Sequence, residues 1–157
     1  MANVKAIPDG YGTVTPSITF TDGAKAIEFY KRALGAKERG IARGPDGKIM
    51  HAEIQIGTSI IMLNDEVMKA RSAETIGSSP VSFYVYVEDV DAAFKKATSE
   101  GGKATMPVMD MFWGDRMGHF TDPFGYSWTL ATHVKDVTPE EMKKGQEEFM
   151  KQMASAH

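Results

Sequence analysis

Residues 113–130 read WGDRMGHFTDPFGYSWTL, and the fold is decided by how this stretch is parsed. Trp113-Gly114 makes a turn, a short strand follows, and Asp122-Pro123-Phe124-Gly125 turns the chain back into Tyr126–Leu130. Proline presets φ, and a glycine two residues later accepts positive φ, so the turn has a mechanism. Aromatic and β-branched neighbours on both sides make the stretch a β-hairpin. A plainer hairpin lies earlier. Lys48–Ile56 alternates His51, Glu53 and Gln55 with Ala52, Ile54 and Ile56, Gly57 turns the chain, and Ser59–Leu63 returns it.

Each hairpin is preceded by the same order of elements. In the first half, Thr13–Phe20 reads as a strand with Thr15, Ser17 and Thr19 on one face. Asp22 caps a helix over Gly23–Leu34, whose Ala26, Ile27, Tyr30 and Ala33 form one apolar face, and Gly35 stops it. Lys37–Ala42 and the Gly44-Pro45-Asp46-Gly47 turn lead into the hairpin. In the second half, Val81–Val87 is a strand with Ser82, Tyr84 and Tyr86 on one face. Asp89 caps a helix ending at Gly101-Gly102, and Thr105–Val108 is a short strand. A shift of 67 residues lays Asp22 on Asp89 and Gly35 on Gly102. A shift of 68 is preferred for the hairpins, because it lays His51 on His119 and Gly57 on Gly125. The expected organisation is module one at 13–64, a polar linker at 65–79, module two at 80–133 and a helix at 138–154. That last helix opens with Thr138-Pro139-Glu140-Glu141, a capping threonine followed by proline at the first helical position. Residues 1–12 read as an irregular lead-in.

Composition removes several function classes. The net charge is −3 with 18 basic and 21 acidic residues, which gives no electrostatic footprint for nucleic acid or a membrane surface. The absence of cysteine removes disulfides, thiolate nucleophiles and Cys-ligated zinc, and it fits a cytoplasmic protein. No signal peptide or membrane span is expected from the hydropathy pattern.

Two β-α-β-β-β modules, with Phe29-Tyr30 and Ala33-Leu34-Gly35-Ala36 in the first helix, resemble the vicinal oxygen chelate superfamily of glyoxalases, bleomycin-resistance proteins and dioxygenases. Within it, TPSITFTDGAKAIEFY, HAEIQIGTSIIML, WGDR and DPFGYSWTLATHV look like the PhnB-like branch. The resemblance implies an α+β fold in which two modules form curved mixed sheets around a cavity, with a C-terminal helix added. It also implies a small-molecule ligand and a homodimer. It says little about reaction, since function resides in the site and not in the fold.

Metal-dependent members carry a His or Gln on the first strand of each module and a Glu on the last. By this resemblance the positions fall on Thr15, Ser82, Thr129, and either Ile61 or Met62, none of which normally holds a divalent cation. No cofactor is therefore expected. A different set, His51, Glu53 and His119, would give a 2-His-1-carboxylate site for a metal-dependent lyase, isomerase or dioxygenase if all three converged. The alternative is that His-x-Glu-x-Gln is the solvated face of a strand. Tyr84, Tyr86, Trp113, Thr129 and His119 are the candidate binding residues; Trp113 is either a ligand wall or a core anchor, and His119 is also a candidate acid/base. Asp115 and Arg116 read as a local turn or ion pair, because adjacent strand residues point apart. The resulting expectation is a metal-free small-molecule binding protein.

Overall fold

Asp22 and Asp89 start the two inner helices as their spacing requires. Each accepts a hydrogen bond from the backbone N–H three residues on, at 3.1 Å from Lys25 and 3.0 Å from Ala92. A computed structural model describes residues 4–156. The lead-in expected over 1–12 is irregular from residue 4 onward, and its first three residues lie outside the described residues. Module one comprises β1 (Ser17–Phe20), α1 (Gly23–Leu34), β2 (Lys37–Arg43), β3 (Ile49–Ile56) and β4 (Ser59–Asp65). A short helix α2 (Ala73–Ile76) precedes module two, which comprises β5 (Ser82–Tyr86), α3 (Val90–Ser99), β6 (Lys103–Asp110), β7 (Asp115–Thr121) and β8 (Ser127–His133). The C-terminal helix is α4 (Pro139–Ser155).

Each module forms one four-stranded mixed sheet, ordered β1-β4-β3-β2 and β5-β8-β7-β6, so the fold is α+β. The first strand of each module runs parallel to the last and leaves an open edge. Helices α1 and α3 pack against each other and against the apolar faces of the sheets. The 122–125 turn of module two reaches into module one, where Phe124 and Tyr126 meet Phe20 edge-on at ring-centroid distances of 5.6 and 5.4 Å.

At the centre of this junction lies Asp122, only 4% exposed. Its Oδ1 accepts from the backbone N–H groups of Phe124 and Tyr126, both at 2.9 Å. Its Oδ2 accepts from Tyr30 Oη at 2.5 Å and Trp128 Nε1 at 2.8 Å. Burial pushes the Asp122 carboxyl up, and the Tyr30 hydroxyl and these N–H donors pull the other way. One carboxylate thus ties the hairpin turn to helix α1 of the other module.

Three sequence expectations change. The first strand begins at Ser17 instead of Thr13: the Pro16 carbonyl still accepts from Met62 N–H, but Val14 is 86% exposed and the ladder stops. Residues 65–79 are more than a polar linker. Asp65 closes β4 and accepts from the N–H groups of Gly23 at 2.6 Å and Ile49 at 2.7 Å, and Ser72 caps α2 while being buried. The polar residues there satisfy backbone amides, which composition reads as a solvated connection.

The third change is the hairpin register. Glu53 pairs with Met62 in β3·β4, and His119 pairs with Thr129 in β7·β8. Across the parallel pairs, Ser17 faces Met62 and Tyr84 faces Thr129. His119 is therefore the counterpart of Glu53, a shift of 66, and not of His51. Shifts of 66 and 68 differ by one full strand period, so both put the same residues on the same face and alternation cannot separate them.

Candidate functional site

The residues of interest lie on the sheet face of module two that the helices leave open. Strand alternation puts Ser82, Tyr84 and Tyr86 on that face of β5. The registers set Tyr84 beside Thr129 and His119, and Tyr86 beside Ala131 and Met117, with His133 opposite Asp115 one step further along. Asp115, which reads in the sequence as a turn or ion-pair residue, is the hub of this face.

Asp115 is 3% exposed. Its Oδ2 accepts from the hydroxyls of Tyr84 at 2.7 Å and Tyr86 at 3.0 Å, and its Oδ1 lies 2.8 Å from His133 Nδ1. The other ring nitrogen of His133 lies 2.9 Å from Asp136 Oδ1, so a protonated imidazole donates to both carboxylates. Burial alone would push the Asp115 carboxyl up. Hydrogen bonds from His133, Tyr84, Tyr86 and Trp113 outweigh it, and the net displacement is downward. The Asp136 and Asp115 hydrogen bonds raise His133. Burial, aided by Asp115, pushes the Tyr84 hydroxyl up to about 12, and its hydrogen bond to Asp115 raises Tyr86. Adjacent residues do point apart: Arg116 turns away and pairs with Asp91 at 2.8 Å and Asp110 at 3.1 Å.

His119 Nδ1 is 2.6 Å from Thr129 Oγ1, so a hydroxyl orients the ring, and Thr129 itself is buried. Trp113 is half-buried beside Phe112, with ring centroids 5.0 Å apart, and its indole reaches the Tyr84–Asp115 pair. It lies outside the buried core cluster. Phe112 also meets Phe149 of α4 at 5.7 Å, so the C-terminal helix packs behind this corner. Tyr84 and Tyr86 are 45% and 63% exposed, with centroids 5.2 Å apart.

His51 and Glu53 belong to a separate hub on module one. Glu53 accepts from Tyr11 Oη at 2.5 Å, lies 3.2 Å from His51 Nε2, and pairs with Arg39 at 3.4 Å. The Tyr11 hydroxyl is the largest cause that lowers the Glu53 carboxyl. No group of three or more His, Asp or Glu side chains able to hold a metal ion comes together among the described residues, so the structure does not gather His51, Glu53 and His119. The family positions fit a metal no better. The register selects Met62 as the counterpart of Thr129, since Ile61 turns into the core, and the set becomes Thr15, Ser82, Met62 and Thr129. Three hydroxyls and a thioether are poor ligands, and the Thr129 hydroxyl is already engaged by His119.

A cavity of about 930 Å³ opens between the modules, along the free edge of β5. Its wall takes in Thr15, Ser59 and the end of α1 on one side, and Ser82, Tyr84 and Tyr86 on the other. Tyr84 and Tyr86 stand where the cavity meets the open face of module two. Sequence reasoning misses Asp115, His133 and Asp136 as members of the site. The signal is present for Asp115, which shares the parity of His119 on one strand.

Two β-α-β-β-β modules packed through their helices, each with an open sheet face, define a class of paired-module α+β protein. The chain belongs to the Glyoxalase/Bleomycin resistance protein/Dioxygenase superfamily, whose family model matches residues 13–130. An uncharacterized protein of Mycobacterium tuberculosis is 38% identical over 135 residues, covering 83% of this chain and 79% of that protein. TioX from Micromonospora superposes with a TM-score of 0.61 at 25% identity, covering 81% of this chain and 100% of TioX. The PhnB protein of Bacillus cereus shares the fold, with a TM-score of 0.61 at 22% identity over 77% of this chain and 99% of that one. No helix among the described residues is long and apolar enough to cross a membrane.

Proposed function

We propose that this protein binds a small aromatic or amphipathic molecule without the family metal, in the manner of the bleomycin-resistance type, and acts as a cytoplasmic homodimer. The observation that carries this reading is a cavity of about 930 Å³ whose wall includes Tyr84 and Tyr86, both held by the buried Asp115. Large amphipathic rings held by a buried acceptor are the usual makings of a ligand wall. The lack of competent ligands at Thr15, Ser82, Met62 and Thr129 supports a metal-free site. The open edges of β1 and β5 and the exposed Val14 and Val81 support completion of the cup by a second copy.

The test is a thermal-shift screen of aromatic amphiphiles on the full chain, with calorimetry on the hits. Binding of about one ligand per chain, weakened at least about tenfold by Trp113→Ala or Tyr86→Ala, is expected. Stoichiometric binding unaffected by either variant sinks the assignment of this face. A second reading rests on one contact: the Thr129 hydroxyl on Nδ1 of His119 leaves Nε2 free for acid/base work. Turnover of a bound hit, abolished in His119→Ala, would favour that metal-free enzyme over the binding protein.

A further inference from the structure

The described carboxylate hubs differ in how their charge is answered. Glu53 has Arg39 and His51. Asp65 has two backbone N–H groups, and Asp122 has four donors in a closed core. Asp115 has two tyrosine hydroxyls, the Trp113 indole and a histidine that it shares with a second carboxylate, Asp136. Neighbouring cations are engaged elsewhere: Arg116 is held by Asp91 and Asp110, and Lys135 by Glu141.

Donor counting then sets what the face can offer. A tyrosine hydroxyl has one hydrogen, and Tyr86 spends its own on Asp115. Toward a ligand its oxygen is therefore an acceptor. The Tyr84 and Tyr86 rings have centroids 5.2 Å apart, and behind that oxygen the buried Asp115 and the exposed Asp136 set two negative charges against the one His133 imidazolium. Acceptor oxygen, π-faces and negative charge all favour the same kind of guest. Lys96, the charged residue on the cavity wall, stands on α3, on the helix side of β5.

We infer that the Tyr84–Tyr86 end of the cavity, with Asp115 behind the two hydroxyls, takes a cationic nitrogen, so that the ligand is an organic cation with an aromatic or aliphatic body: an amine, a quaternary ammonium or a guanidine. This rests on the reading of the protein as a small-molecule binder and names the chemistry of that same site.

Three probes with one body and different heads test it: phenylpropylammonium, phenylpropanol and phenylpropanoate, each titrated calorimetrically into the full chain at low salt. The ammonium should bind about tenfold or more tighter than the alcohol, as expected for a cation on aromatic faces near a buried charge. Asp115→Asn should erase that preference while the alcohol still binds, and Tyr86→Phe should reduce it in a chain whose core is untouched. Equal binding of ammonium and alcohol overturns the inference and leaves the binding reading standing. Tighter binding of the carboxylate, lost in Lys96→Met, overturns it by placing the head on the other side of β5. Binding by none of the three overturns both.

Discussion

Replacing Asp122 with alanine should be the most damaging single change in the junction between the modules. The substitution removes the acceptor of four hydrogen bonds, two from backbone N–H groups and two from Tyr30 and Trp128. Tyr30 can rotate its hydroxyl, but the indole N–H of Trp128 is fixed in a ring that is 1% exposed, and the turn amides are held by the turn. At about 2 kcal/mol for each buried donor left unsatisfied, two or three fixed donors cost about 4–6 kcal/mol. Some of that is offset because the carboxylate no longer has to be desolvated, the same burial that pushes its carboxyl up. The net expectation is about 3–5 kcal/mol, a large fraction of the ~5–15 kcal/mol that holds an ordinary domain together. Asp122→Asn should cost less, about 2 kcal/mol, because one oxygen is kept and a single donor–donor conflict is created. Urea unfolding followed by tryptophan fluorescence measures both, with the slope checked for constancy. A loss below about 1 kcal/mol for the alanine variant would refute the view that this carboxylate joins the modules.

Gly114 has φ of +98°, its carbonyl accepts from the N–H groups of Val134 and Lys135, and an added Cβ would collide with the Lys135 carbonyl oxygen. Gly114→Ala should therefore cost about 2–4 kcal/mol in chemical unfolding, whereas the same change at Gly35, with φ of +64° and open space around it, should cost about 1 kcal/mol. The Asp115–His133–Asp136 chain fixes a pH profile. The His133 contribution is present below the ordinary imidazole value of about 6.5 and is lost as pH rises through its raised folded value. The Asp115 contribution is present above the ordinary carboxylate value and is lost as pH falls through its lowered one. Stability should plateau between them, and the alkaline decline should vanish in His133→Gln when melting is followed across pH.

Local chemistry makes most of the fold legible in the sequence. Asp22, Gly35, Asp89 and the Pro123–Gly125 turn each act on their nearest neighbours, so the helix Gly23–Leu34 and both hairpins can be placed from the residues alone. Relations between strands are harder. An alternating pattern fixes the face of His119 but leaves its pairing free to slide by two, which is why His51 and not Glu53 looks like its counterpart in the sequence. The site is legible to the same degree: Tyr84, Tyr86 and Trp113 are visible as amphipathic rings, and the hub that holds them is not. Asp115 and Tyr84 are 31 residues apart, Asp115 and His133 are 18 apart, and only the sheet brings them together. A lone acidic residue beside an arginine carries no mark of such a role. The polar 65–79 stretch hides α2 for a related reason, since Ser72 and Asp65 bond the backbone and so look like solvated surface.

We propose that this chain holds its ligand without a metal, and elemental analysis of untagged, dialysed protein is the test. The expected result is far less than one divalent ion per chain, with no thermal shift on adding zinc, manganese, nickel or iron(II). About one tightly held ion per chain, lost in His51→Ala and His119→Ala, would contradict the metal-free site and favour a metal-dependent enzyme.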